Sequence, residues 1–211
     1  MRWLRELPTA DPDEAARLRG KGWQCLREPA GMGRTLAAAS PFFLLLTALC
    51  VWELAALSPG LWGVTSVGGV RFTVGLGDLA LAVAVLLGWT LLHEVLHALC
   101  LPGGLASPHT GMGVRGAFAF VHSSAALTRR RFLLVSFTPC VLLSFALPAA
   151  VALFTPVTGW LAALCVLNAA GSCVDFLAAV LVGWQVPRGG LVVSNGPETW
   201  ASALRPGRRR P

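Results

Sequence analysis

Residues 79–101 read LALAVAVLLGWTLLHEVLHALCL, an apolar run interrupted by three ionisable side chains. The run reaches the roughly 20 residues that a bilayer-spanning helix needs. Its polar interruption is His93-Glu94-Val95-Leu96-His97. A charged side chain at the centre of such a helix costs at least ~2.5 kcal/mol on insertion scales, so it marks a functional position. On a helix, positions i and i+4 share a face, and both imidazoles can reach one metal ion. The intervening carboxylate stands where it can take a proton from a metal-activated water. His93 and His97 therefore read as metal ligands, and Glu94 as general base and later proton donor. The competing reading is a polar helix–helix contact, with Glu94 protonated and bonded to a histidine.

Working outward, three further runs are long enough to span: about Thr35 to Leu57, Phe132 to Phe154, and Trp160 to Trp184. Pro139 and Pro148 in the third predict kinks, which membrane helices tolerate. Only 13% of the 211 residues are charged and 55% are hydrophobic, against about 25% charged in soluble domains. The expected fold class is an all-α membrane protein, with four transmembrane helices and a small strand-like cytoplasmic loop. The net charge of +7 does not point to nucleic acid, because the basic residues form no single stripe. Seven (Arg2, Arg5, Arg17, Arg19, Lys21, Arg27, Arg34) precede the first run. Arg115, Arg129, Arg130 and Arg131 lie between the second and third, and Arg188, Arg205, Arg208, Arg209 and Arg210 follow the fourth. The opposite loops hold only Arg71. The asymmetry predicts cytoplasmic termini and a cytoplasmic central loop, in a membrane taken to be bacterial.

Three regions follow: a cytoplasmic N-terminal segment (1–34), a four-span domain (35–185) and a cytoplasmic basic tail (186–211). The first has no signal-peptide pattern. Its residues 10–28 predict an amphipathic helix capped by Thr9 or Asp11, lying on the membrane surface or solvated. Residues 112–122 (MGVRGAFAFVH) predict one or two short strands, and Gly190 to Ser194 another. The closing RPGRRRP reads as a disordered basic tail that touches anionic lipid. Six cysteines at irregular spacing, most in apolar runs, predict small hydrophobes and no disulfide framework.

A catalytic zinc takes a third protein ligand and keeps one position open. Asp175 is the one other acid well inside the later runs. Asn168, Ser172 and Asp175 fall on one helical face, and Thr90, His93, Glu94 and His97 on another. Two polar stripes in lipid should face each other or a wet cavity. By rise per residue, His97 lies roughly 6 Å and Asp175 roughly 14 Å from the cytoplasmic ends of their runs. One zinc ion with neutral histidines, Asp175 and Glu94 makes a neutral cluster. Asp175 also reads as a packing residue or as a support for the ligands. Asn168 and Ser172 read as supports for the ligands, as helix bridges, or as groups that hold water or substrate. His109 and His122 in the central loop compete as third ligand. Glu53 in the first run has no evident partner.

The segments HEVLHALC, Phe137-Thr138-Pro139 and Asn168…Ser172…Asp175, with the Gly-rich loop, resemble the bacterial "putative zincin peptidase" membrane family. That family is similar in plan to site-2 intramembrane metalloproteases. The resemblance spans roughly residues 75–200. It implies a zinc peptidase with His93, His97 and Asp175 as ligands and Glu94 as the catalytic residue. Site-2 proteases usually carry Gly beside the ligand Asp; here Val174 and Phe176 flank it, which predicts a less interrupted helix. The expected activity is hydrolysis of peptide bonds, in a membrane protein or peptide substrate, at or in the cytoplasmic half of the bilayer. The alternatives are a metal-binding or transport protein, and an inactive pseudoprotease that binds membrane partners. Intact Glu94 argues against the last, since binding alone needs no general base.

Overall fold

The structure is a computed structural model that describes residues 2–6, 8–62, 75–115 and 118–204. Four helical stretches, Met32–Leu57, Leu76–Cys100, Arg129–Ala152 and Gly159–Gln185, are long and apolar enough to cross a membrane. They coincide with the four expected runs, and their starts follow from capping. The third begins early because Thr128 accepts a hydrogen bond from the Arg131 amide, satisfying an orphan donor of the first turn. Thr158 caps the fourth through the Leu161 amide.

The first two stretches are single helices, preceded by α1 (Pro12–Gly20): α2 (Met32–Leu57) and α3 (Leu76–Cys100). The third is α4 (Arg129–Cys140), a π-helical segment Val141–Ala146, and α5 (Leu147–Ala152). The π segment lies between the two prolines expected to kink the span, where the regular hydrogen-bond ladder is already broken. The fourth is α6 (Gly159–Gly171) and α7 (Cys173–Gln185), divided at Ser172. The less interrupted helix expected from Val174 and Phe176 is present around Asp175: Ser172 alone separates α6 from α7, and the Ser172 and Phe176 amides donate to the Asn168 and Ser172 carbonyls across it, each at 3.0 Å.

Cys50, Cys140, Cys165 and Ala169 are fully buried where α2, α4 and α6 meet, packed with Leu46 and Leu54. Small side chains let helices approach closely where no hydrophobic effect drives them together. All six cysteines are free, as small hydrophobes would be. Helix α3 stands outermost, with Leu79, Leu81, Leu87 and Leu91 exposed along it.

The strand content exceeds the all-α expectation and is not confined to one loop. Strands β1 (Arg2–Leu4), β3 (Thr110–Arg115) and β4 (Phe118–Ser123) form one sheet, ordered β1-β3-β4. Strands β2 (Gln24–Cys25), β5 (Leu127–Thr128), β6 (Leu191–Asn195) and β7 (Glu198–Ala201) form another, ordered β2-β7-β6-β5. The expected strands at 112–122 and 190–194 are the β3–β4 hairpin and β6. Of the extra ones, β7 is four residues long and forms a hairpin with β6, whereas β1, β2 and β5 are two or three residues long and pair with partners far away in sequence, so no local pattern announces those three. The sheets tie the N-terminal segment, the central loop and residues 191–201 together at one end of the helices. At the other end the Val157 amide donates to Ser58 Oγ at 3.0 Å.

Helix α1 is shorter than expected, because Gly22 takes a left-handed φ of +80° and turns the chain into β2. Asp11 is its N-cap, accepting from the Asp13 and Glu14 amides. Its apolar face, Ala15 and Leu18, packs on Trp200 of β7, with Arg19 stacked 5.2 Å above the indole. That face is therefore occupied by protein. Residues 205–211, expected to be disordered, lie outside the described residues.

Candidate metal centre

The site lies at the sheet-bearing end of the helices, in a cavity of about 360 Å³. Its walls are His93, Glu94 and His97 on α3, Val135 and Ser136 on α4, and Asp175 on α7. Ala119, Phe120 and Val121 of β4 complete it on the sheet side. The i, i+4 spacing on α3 brings the two imidazoles edge to face, with centroids 4.8 Å apart. Their Nε2 atoms are 3.0 Å apart. Asp175 Oδ2 lies 3.4 Å from His93 Nε2 and 3.6 Å from His97 Nε2. The depth offset from residue counting is absorbed, and the carboxylate reaches both rings.

The tautomers follow from the neighbours. His97 Nδ1–H donates to the Val135 carbonyl at 2.8 Å. A carbonyl only accepts, so His97 carries its proton on Nδ1. The Asn168 amide nitrogen donates to Ser144 Oγ at 2.8 Å and to the Pro139 carbonyl at 3.3 Å. This turns its oxygen toward His93, whose Nδ1–H donates to it at 2.8 Å. Both neutral rings thus present a bare Nε2 lone pair to the same point. Three lone-pair atoms, two nitrogens and a carboxylate oxygen, converge there without a proton between them. Such a cluster is repulsive unless a cation or an added proton joins it.

The spacings fit zinc. Bonds of about 2.0–2.2 Å in tetrahedral geometry separate neighbouring ligand atoms by roughly 3.3–3.6 Å, and the observed distances run from 3.0 to 3.6 Å. Two imidazoles and a carboxylate are a donor set that zinc accepts, and each imidazole is oriented by a hydrogen bond on its far nitrogen, as ligand histidines are. Among the described residues, His93, His97 and Asp175 are the group that could hold a metal ion. His109 is exposed and His122 pairs with Gly111 across the hairpin. Neither belongs to the group, and burial pushes the His122 pKa down.

Glu94 lines the cavity on the histidine side, with Val121 of β4 in the same lining. Among the described residues, strand β4 has one sheet neighbour, β3, and no strand on its other edge. Ser172 Oγ donates to the Asn168 carbonyl at 2.8 Å, and Thr90 Oγ to the Leu86 carbonyl at 3.0 Å. Both are turned back on their own helices. Glu53 stands on the last turns of α2, at the opposite end of the molecule.

Three supporting groups escape a search for polar side chains in apolar runs. The Val135 carbonyl is backbone. Ser144 lies in a span that carries no acidic residue and no histidine; its hydroxyl accepts from Asn168 and donates to the Cys165 carbonyl at 2.9 Å. Arg131 counts only as a loop charge in the sequence. Its guanidinium donates to the Cys100 carbonyl and to the Leu101 carbonyl at 3.4 Å, capping α3 one turn after His97.

The fold and the three-residue cluster describe a metallopeptidase-like centre, and comparison with known families agrees. The family model for "putative zincin peptidase" matches residues 85–190, a stretch that takes in His93, Glu94, His97, Asn168 and Asp175. The chain belongs to that family. No curated protein and no solved structure matches it.

Proposed function

We propose that the protein is a zinc-dependent, membrane-embedded peptidase that hydrolyses peptide bonds at or in the cytoplasmic half of the bilayer. The observation that carries the reading is the convergence of two bare imidazole nitrogens and a carboxylate oxygen beside Glu94. When bound, a zinc ion supplies Lewis-acid polarisation of the scissile carbonyl and acidifies the attacking water. His93, His97 and Asp175 would hold it. Glu94 takes the proton from that water and delivers it to the leaving amine.

Two features support action on a segment drawn from the membrane. A second cavity, about 290 Å³, lies between α3 and α6 and shares His93 and Glu94 with the first. Leu86, Trp89 and Leu167 line it, giving an apolar approach from the side of the helices. Ala119 of β4 lines the same cavity, and among the described residues β4 has a sheet neighbour on one side only. A spanning helix satisfies its own backbone, so it must unwind before hydrolysis. Its freed amides and carbonyls would then pair with β4 by strand addition. The arginine-bearing segments meet at the sheet end, which supports a cytoplasmic position for the centre.

The test uses the full chain in lipid nanodiscs, with bound zinc measured and cleavage of single-span peptides read by mass spectrometry. Glu94→Gln should keep zinc and lose cleavage. Asp175→Ala should weaken zinc. Cleavage that survives Glu94→Gln would refute the mechanism. Transmembrane metal flux unaffected by Glu94→Gln would favour the transport reading instead.

A further inference from the structure

Pro139 stands in the middle of the third span, where it removes a helix hydrogen bond. The carbonyl it leaves without its i+4 donor is Val135, and that carbonyl receives His97 Nδ1–H at 2.8 Å. We infer that Pro139 is a positioning residue for the metal centre: by withholding an N–H from Val135, it keeps one backbone carbonyl free to hold His97 in the tautomer that presents Nε2 to the metal. The inference rests on His97 being a ligand, as proposed above.

The other two prolines inside the described spans show the same exchange with different recipients. Pro41 leaves the Ala37 carbonyl, which accepts from Ser40 Oγ at 2.8 Å on its own helix. Pro148 leaves the Ser144 carbonyl, which accepts from Cys50 Sγ at 3.5 Å on α2. In lipid a freed carbonyl must find a donor, and neighbouring helices or hydroxyls supply it. Only at Pro139 is the donor a group of the candidate centre. An alanine there would offer Val135 an intrahelical N–H in competition with the imidazole. His97 could then turn, or carry its proton on Nε2, and either change withdraws a lone pair from the metal. The usual expectation is reversed, because a substitution that mends the helix should damage the site.

The experiment compares wild type, Pro139→Ala and Pro41→Ala as full chains in nanodiscs. Zinc affinity is read by competition with a chromophoric chelator, and the ligand field by the absorption spectrum of the cobalt(II)-loaded protein. Apo-protein unfolding is followed separately. Pro139→Ala should bind zinc about 10- to 100-fold more weakly and shift the cobalt spectrum, with apo stability no lower than wild type. Pro41→Ala should leave affinity and spectrum unchanged. A folded Pro139→Ala with wild-type affinity and spectrum would overturn the inference, and so would an equal loss in Pro41→Ala. If Pro139→Ala does not fold, ¹⁵N NMR of the zinc-loaded wild-type protein decides: His97 should bind the metal through Nε2 and keep its proton on Nδ1, and a metal-bound Nδ1 overturns the inference. A wild-type protein that binds no zinc would instead defeat the proposed function itself.

Discussion

Asn168→Ala tests the support of the centre from the side of His93. The Asn168 side chain makes three hydrogen bonds, one to His93 and two to α4 and the π segment, and it is buried. Side-chain bonds between membrane helices average ~0.6 kcal/mol each, so their loss should cost roughly 2 kcal/mol of stability. The larger consequence falls on His93. Without its acceptor the imidazole is free to rotate or change tautomer, and loss of such a partner typically weakens metal binding 10- to 100-fold, about 1.4–2.7 kcal/mol. Asn168→Asp separates the two effects. Its carboxylate still accepts from His93 Nδ1–H but cannot donate to Ser144 Oγ or the Pro139 carbonyl. It should retain more zinc affinity than Asn168→Ala while losing comparable stability. Zinc competition titrations and denaturation of the apo-protein, run on the same preparations, read both quantities. Asn168→Ala binding zinc within twofold of wild type would refute the argument that this hydrogen bond orients the ligand.

Other perturbations probe the periphery. Arg131→Met should remove the cap on α3 and lower stability by about 1 kcal/mol, seen as a lower unfolding midpoint, with zinc stoichiometry kept. His122→Gln should leave zinc affinity unchanged, checked by the same competition titration. It should also blunt acid sensitivity. The folded His122 pKa lies below its ordinary 6.5, so the unfolded chain takes up a proton first. Stability is therefore present above pH 6.5 and lost as pH falls below it. Denaturation at pH 7.5 and 5.5 should show a smaller difference in the variant than in wild type.

Much of the centre is legible in the sequence because polar residues are conspicuous within long apolar runs. His93, Glu94 and His97 declare one face of a helix, and Asp175 stands out as an acid in an apolar run. Asn168 shares its stripe and does contact His93. Ser172 shares the same stripe yet turns back onto its own helix, because a hydroxyl one turn on can reach the carbonyl behind it. Spacing alone cannot separate these two outcomes. The sheets are least legible. β2 is two residues long and pairs with β7 through Trp200 and Ala201, so its partner is set by packing rather than by local pattern. Strand β4 belongs to the other sheet, and its place beside Glu94 is set by packing against α3 rather than by the hairpin pattern. The role of the Val135 carbonyl was within reach, since a proline always strips the carbonyl four residues before it, but its donor comes from another helix.

The central claim is that two histidines and one aspartate hold zinc beside Glu94. X-ray absorption at the zinc edge, on the protein purified gently at neutral pH, tests it most directly. The account predicts one zinc per chain in a shell of nitrogen and oxygen at about 2.0–2.2 Å, with two imidazoles and no sulfur despite six cysteines in the chain. Asp175→Ala should lose an oxygen from that shell. Absence of zinc, or a sulfur-containing shell, would contradict it.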